Sequence, residues 1–259
     1  MAFGITAAAR SWNGDLAREL EQLGYAELWA NNTSRGSGLD TLADAARATT
    51  QLALAVGVLG LSAHSPAAIA AGVAELGLPR DRLTVGLGTG NGRSLAAVRD
   101  GVAALRAADP RLTVAVAVVG PRMAELGGQI GDVVLLNWMG PRLAHERQQA
   151  VQKAAAEAER PAPRVAAYVR VAVGGGAQER LVAEQDRYLG YGGSYASVIS
   201  RQLQAGEGPI GVASAEPGGV PAALADYRAA LDTVVVRGLP AEDTIDGWLA
   251  VARAATLRP

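Results

Sequence analysis

The chain has 259 residues, 49% of them apolar and 19% charged, with a formal net charge of −1. That balance supplies a globular core, excludes a disordered chain and, with no basic stripe interleaved with aromatics, argues against a nucleic-acid partner. The absence of cysteine removes disulfides, thiolate metal sites and a thiol nucleophile together and fits a cytoplasmic setting, while two histidines are too few for a multi-histidine metal centre.

The N-terminal "MAFGITAAARSWNGD" has neither the charged start nor the sustained apolar run of a signal peptide. The weakly charged stretch Leu52–Leu78 is interrupted by His64, Ser65 and Pro66, so it reads as strand, loop and helix and not as a membrane span.

In chain order, short runs rich in β-branched residues and leucine alternate with helical patterns that carry polar residues on one face. The runs are "FGITA" at 3–7, "YAELWA" at 25–30, "LALAVGV" at 52–58 and "RLTVGLG" at 82–88. They continue with "LTVAVAVV" at 112–119, "DVVLLNW" at 132–138, "RVAAYVRVAV" at 164–173 and "DTVVVRG" at 232–238. Helical patterns fall at Asp15–Leu23, Asp40–Gln51, Ala67–Leu76, Leu95–Ala107, Arg122–Ile130, Arg142–Glu159 and Asp243–Ala255. Eight near-continuous apolar strands, each followed by a helix, predict an α/β fold, a parallel (β/α)8 TIM barrel. Ala177–Arg228 holds more chain than one crossover helix uses, so extra helices and loops are expected between strands 7 and 8. The only linker-like stretch, "ERPAPR" at Glu159–Arg164, is too short to separate domains, and residues 1–259 read as a single domain.

Active sites of this fold sit where the strands end, and here unusual residues recur. They are "WANN" at Trp29–Asn32, "GVLG" at Gly57–Gly60, "GTGN" at Gly88–Asn91, "VGP" at Val119–Pro121, "NWM" at Asn137–Met139, "YVR" at Tyr168–Arg170 and "VRG" ending at Gly238. The stretch "GLGTGN" fails the dinucleotide fingerprint, because the sixth position counted from Gly86 is Asn91. It still joins a strand to a helix through glycines, which lets backbone N–H groups approach a phosphate or simply makes a tight turn. Glycines and amides at some ends, aromatics and arginines at others, suit a large planar phosphorylated cofactor.

The segments "LGYAELWANN", "DTLADAARATTQLALAVGVLGLSAHSPAAIAAGVAEL" and "RLTVGLGTGN", in this order and spacing, resemble the luciferase-like flavin and deazaflavin oxidoreductases. The later "VVGPRMAELGGQIGDVVLLNWMGP" and "VAAYVRVAV" look like the branch that uses the deazaflavin coenzyme F420, with FMN as the alternative cofactor. The resemblance spans Gly4 to Ala255. It implies an oxidoreductase that transfers hydride between the deazaflavin and a small organic substrate. The alternatives are an FMN-dependent monooxygenase served by a separate reductase, and a binding protein without turnover.

The resemblance also implies roles for particular residues. Gly88, Thr89, Gly90 and Asn91 would lie along the cofactor's phosphate and side chain, supported by Gly120 and Pro121. A bulge at the third strand end would prop the ring, with a cis non-proline peptide at Leu59–Gly60. The sugar-phosphate dehydrogenases of the family carry a histidine at the second strand end and a glutamate after the T-G pair. Those places read Asn31 or Asn32, and Asn91, so a carboxylate–imidazole pair is missing.

Read for themselves, Trp29 is either a wall against the ring or simple packing, and Asn31 and Asn32 either bond ring carbonyls or form a turn. Asn137 and Trp138 form a polar–aromatic pair at a buried strand end, where each polar group needs a partner. Tyr168 and Arg170, two apart, share one strand face. The arginine there meets either a ligand or an internal carboxylate, and Arg237 poses the same choice. Tyr168 or a bound water is the candidate proton source, and Asn32 is taken with Tyr168 as a catalytic candidate. His64 reads as a solvated loop residue and His145 as surface. The partner expected is a small-molecule substrate, with no membrane or nucleic acid, and a homo-oligomer is left open.

Overall fold

A computed structural model describes residues 1–92 and 94–257. Its strands are β1 (Ala2–Thr6), β2 (Glu27–Asn31), β3 (Ala53–Gly60), β4 (Leu83–Gly88), β5 (Thr113–Val118), β6 (Val133–Asn137), β7 (Arg164–Val173), β8 (Val212–Ser214) and β9 (Thr233–Gly238). All pair in parallel. The order β6-β5-β4-β3-β2-β1-β9-β7, closed by β6 on β7, makes an eight-stranded barrel with β8 appended to β7. The expected TIM barrel is therefore present.

The helices are α1 (Gly14–Gln22), α2 (Gly38–Ala48), α3 (Pro66–Glu75), α4 (Leu95–Ala108), α5 (Pro121–Ile130), α6 (Pro141–Glu157), α7 (Ala177–Gly190), α8 (Gly193–Gln204), α9 (Val220–Ala223), α10 (Ala225–Ala230) and α11 (Ile245–Thr256). The insertion before the last barrel strand supplies α7 to α10, as its length requires. It also contains β8, where the sequence suggested only helices and loops. At ten residues β7 is twice as long as β1, so it outruns the barrel. Ala166–Val171 pair with β9, and Val171–Val173 pair with β8.

Alternation along the strands divides the core in two. Outward residues such as Phe3, Leu28, Val56, Val85, Val116 and Val236 are fully buried beneath the helices. The inward set is small, with Ala2, Ala55, Ala115 and Ala166, and the space they leave is filled by Trp29 and Tyr168. Those two rings meet edge to face with centroids 6.3 Å apart, a favoured aromatic geometry. Among the described residues no helix is long and apolar enough to cross a membrane.

Local sequence sets the helix starts unevenly. Asn13, Ser37, Ser65, Ser94 and Thr244 cap α1, α2, α3, α4 and α11, each side chain accepting a backbone N–H from the first turn. The helices α5, α6, α7 and α8 instead start after glycine and lack a side-chain cap. Four uncapped N-termini therefore follow β5, β6 and β7, with their N–H groups left for other partners.

At the opposite end of the barrel, Arg164 of β7 pairs with Glu27 of β2 at 2.5 Å and donates to Thr233 Oγ1 at 2.8 Å. The other Glu27 oxygen accepts Trp29 Nε1–H at 2.8 Å. One carboxylate thus ties two strands and orients the largest interior ring. Glu27→Ala is expected to cost about 1.5–3 kcal/mol, the range for hydrogen bonds to a charged group. A lower urea midpoint with an unchanged m-value would show this loss.

Candidate active site

The barrel's C-terminal mouth is organised by an irregularity in β3. Its ladder with β4 changes register between Val56 and Leu59, setting Gly57 and Val58 out as a bulge. The Gly57–Val58 peptide is cis. This corrects the expectation of a cis bond at Leu59–Gly60, because those two residues are back in register opposite Leu87 and Gly88. Leu59 points outward into the layer beneath the helices, not toward the mouth.

Contacts explain why the bulge needs glycine at 57. A Cβ on Gly57 would lie 2.6 Å from the Tyr168 hydroxyl and 2.9 Å from both Leu135 and Trp29. The neighbouring strand yields as well. A Cβ on Gly86 would strike the Val56 carbonyl oxygen, and one on Gly88 would lie 3.0 Å from Val58 Cγ2. Two glycines of "GLGTGN" therefore make room for the bulge. Gly90 has its own reason, with φ +63° and a Cβ direction blocked by Ser62 Oγ.

Tyr168 secures the bulge by donating its hydroxyl to the Gly57 carbonyl at 3.1 Å. Burial pushes the phenol's pKa up, so it stays protonated and donating. Gly86→Ala is expected to destabilise the protein by about 1–3 kcal/mol through overpacking. Thermal unfolding beside Gly175→Ala, where a Cβ meets nothing within 4 Å, separates crowding from a general glycine effect.

Above the bulge lies a cavity of about 180 Å³. It brings together Asn31, Asn32, Asn137, Tyr168 and Arg170 from the sequence candidates, with Gly57 and Val58. Asn31 Oδ1 accepts the Ala7 N–H at 3.2 Å, while its Nδ2 has no partner among the described residues. Asn32 is engaged at both ends. Its Oδ1 accepts the Gly38 N–H at 3.0 Å, which leaves Nδ2 to donate to His64 Nε2 at 3.2 Å. His64, read from sequence as a solvated loop residue, is half-buried and held against this amide. Asn137 is likewise occupied, with Oδ1 accepting from Arg170 Nη1 and Nδ2 donating to the Tyr195 hydroxyl at 3.4 Å.

Other candidates stand away from this cavity. Trp29 is fully buried in the barrel interior with its N–H on Glu27, and it supports Tyr168 from the side. Trp138, at φ +58° and 1% exposed, lies beneath the Arg170 guanidinium at 3.9 Å from its ring centroid. Its Nε1 has no partner among the described residues, so the polar partner expected from sequence is not found there. Gly60 packs against Gly90, and Asn91 N–H donates to Ser62 Oγ at 3.2 Å. Neither Gly60 nor the Gly88–Asn91 loop lines this cavity or the adjoining cleft. Gly120 and Pro121 do line that cleft, of about 550 Å³, with Ser194, Ser197 and Arg201 from the start and body of α8. Val119 borders both spaces, so they adjoin.

Tyr188 of α7 and Tyr195 of α8 also line the cavity and were not among the sequence candidates. Their signal was local: three of the chain's six tyrosines lie in "YLGYGGSY", at 188, 191 and 195. Tyr188 stacks near Trp138 and Tyr195, and Arg170 sits 5.0 Å from its ring centroid. Arg170 and Arg237 are in register on β7 and β9 and both line the cavity. The question of an internal carboxylate for them is answered. Neither makes an ion pair among the described residues, and no lining residue is acidic.

Residues 5–104 match the model of the luciferase-like monooxygenases. The resemblance carried by the motifs is thus borne out over that segment. No curated protein matches the sequence. Among solved structures, an F420-dependent secondary alcohol dehydrogenase in complex with an F420–acetone adduct is similar with a TM-score of 0.74 at 13% identity, covering 98% of each chain. The coenzyme F420-dependent tetrahydromethanopterin reductase of Methanopyrus kandleri gives 0.69 at 16% identity, over 98% of this chain and 97% of that one. The FMN-bound oxygenating constituent of 3,6-diketocamphane monooxygenase from Pseudomonas putida gives 0.65 at 14%, over 99% and 97%. At these identities the likeness is one of fold.

Proposed function

We propose that this chain, acting as one domain in the cytoplasm, is an oxidoreductase that transfers hydride between coenzyme F420 and a small organic substrate. The observation that carries this reading is the composition of the mouth. Around the Gly57–Val58 bulge the lining offers amides, phenols and guanidiniums, without carboxylate, imidazole, thiol or aliphatic hydroxyl. Such a site binds and orients, and the reactive group must come from what it binds.

The residues present fit a ring with a phosphate-bearing tail. The bulge offers Val58 as a surface beside the cavity, and Asn31 keeps an unengaged amide for a ring carbonyl. The adjoining cleft supplies the uncapped starts of α5 and α8, the Ser194 hydroxyl and Arg201, while the Ser197 hydroxyl is spent on the Gly193 carbonyl at 2.9 Å. Backbone N–H groups at a helix start beside a guanidinium suit a phosphate. We assign the tail to Gly120, Pro121 and this cleft. The role of Gly88, Thr89, Gly90 and Asn91 becomes that of shaping the rim and accommodating the bulge.

The coenzyme supplies the hydride chemistry when bound. The chain's own part is to orient the substrate and handle one proton. In the oxidative direction an alcohol gives up hydride from its carbinol carbon and a proton from its hydroxyl. In the reverse direction a carbonyl carbon gains the hydride and its oxygen the proton. We assign that proton to Tyr168 or a bound water. In the reductive direction the phenol gives its proton to the carbonyl oxygen and releases the Gly57 carbonyl as it does so. In the oxidative direction, where the phenol is already protonated, the alcohol's proton passes to the water. Asn32 holds His64 at the rim as a hydrogen-bond acceptor.

Titration of the purified protein with each cofactor, read by fluorescence quenching, tests this function. Saturable binding of F420, tighter than that of FMN, is expected. Asn31→Ala should weaken F420 about fivefold, one neutral hydrogen bond's worth, without changing the melting temperature. Tighter FMN binding would favour the monooxygenase alternative, and binding without single-turnover reoxidation by any substrate would leave a carrier protein. No binding of either cofactor would end the reading.

A further inference from the structure

The mouth holds two buried positive charges with no negative charge among the described residues to match them. Arg237 is 7% exposed and Arg170 is 2% exposed. The Arg237 side chain makes no hydrogen bond or ion pair among the described residues, and its Nη1 is fully buried without a partner. Arg170 is better housed, bonded to Asn137 and stacked against Trp138 and Tyr188, but its Nε is also buried and unpartnered. The acid felt by Arg170, Glu184, is already paired with Arg187 at 2.7 Å.

Register places the two guanidiniums on adjacent strands at the same level. They repel each other, and burial together with this repulsion lowers the pKa of Arg170. Arginine does not lose its proton under ordinary conditions, so the charge persists. A buried, unpaired ion is costly unless a counter-charge with good geometry offsets it. Within the cavity, the groups that would supply one are absent from the lining.

We propose that Arg237 and Arg170 form an oxyanion-recognition site in the barrel mouth, and that the group held there is the carboxylate of a small organic-acid substrate. The second half rests on the oxidoreductase reading above. A planar guanidinium with unused donors matches a carboxylate, and both guanidiniums line the same cavity as Val58 and Asn31, where a substrate would meet the cofactor ring. A cofactor phosphate shares this chemistry, but the cleft beside Arg201 and the uncapped helix starts offers it a separate place. Specificity then follows from charge: a neutral alcohol of the same size leaves both guanidiniums unmatched and is disfavoured.

The test is calorimetric titration of cofactor-free protein with oxalate, lactate and inorganic phosphate, with uncharged propan-2-ol as control. Arg237→Gln and Arg237→Lys are titrated in parallel, with circular dichroism to check folding. Saturable binding of lactate or oxalate and none of propan-2-ol is expected. Affinity should fall at least about tenfold in Arg237→Gln, the loss typical of a charge-assisted pair, with part restored in Arg237→Lys. F420 affinity should change less than about twofold in folded Arg237→Gln, since its phosphate is assigned elsewhere. Carboxylate binding that is absent, or equal in wild type and folded Arg237→Gln, would overturn the proposal. A large loss of F420 affinity in that variant, with no carboxylate binding, would assign the arginines to the cofactor and also overturn it. Should F420 and FMN both fail to bind while carboxylates bind as expected, the oxidoreductase reading fails and the oxyanion site stands.

Discussion

The bulge at Gly57–Val58 is the constraint on which the mouth depends. It is held by one hydrogen bond from Tyr168 and by the absence of side chains at Gly57, Gly86 and Gly88. Once β3 leaves its ladder, Val58 turns into the barrel and the β4 residues beside it must be small. The interior below then has to be filled by something large. Trp29 and Tyr168 do this among alanines, with Trp29 anchored to Glu27 at the far end. A single chain of contacts thus runs from the floor ion pair to the bulge that shapes the cavity. Bulges next to active sites commonly re-aim backbone and side chains in this way.

Charge and helix ends complete the asymmetry of the mouth. The helices following β1 to β4 and β9 have side-chain caps, whereas those following β5, β6 and β7 have none. The two buried arginines lie on the same side, on β7 and β9. Uncapped N–H groups and guanidiniums both favour anions. The division of labour proposed here gives the helix starts of α5 and α8 to a phosphate and the strand arginines to a carboxylate. It accounts for two separate electropositive places in one mouth without asking either to serve twice.

Much of this was legible in the sequence because the signals were local. The run "RVAAYVRVAV" has the bounds of β7, since no glycine, proline or turn residue breaks its ten residues and Arg170 is its one charged residue past the first. The motifs also placed a bulge at the end of the third strand. They could not choose between the glycines of "GVLG", because both are crowded by other elements and only the loss of register with β4 after Val56 puts the bulge at Gly57. Asn137 and Trp138 were recognised as unusual, yet their partners lie on other elements. Asn137 is taken up by Arg170 and Tyr195, and Trp138 is covered by Arg170. The tyrosines of α7 and α8 and the strand β8 were missed for the same reason. Their roles arise only when the insertion folds back over β7.

The central claim is that the bulge and the cleft beside it form one cofactor site. A crystal structure of the protein with F420 bound tests it most directly. The account predicts the deazaflavin ring against Val58, within hydrogen-bond reach of Asn31, and the phosphate in the cleft among the α5 and α8 N-termini and Arg201. A ring bound away from the bulge, or a phosphate seated on Arg170 and Arg237, would contradict it.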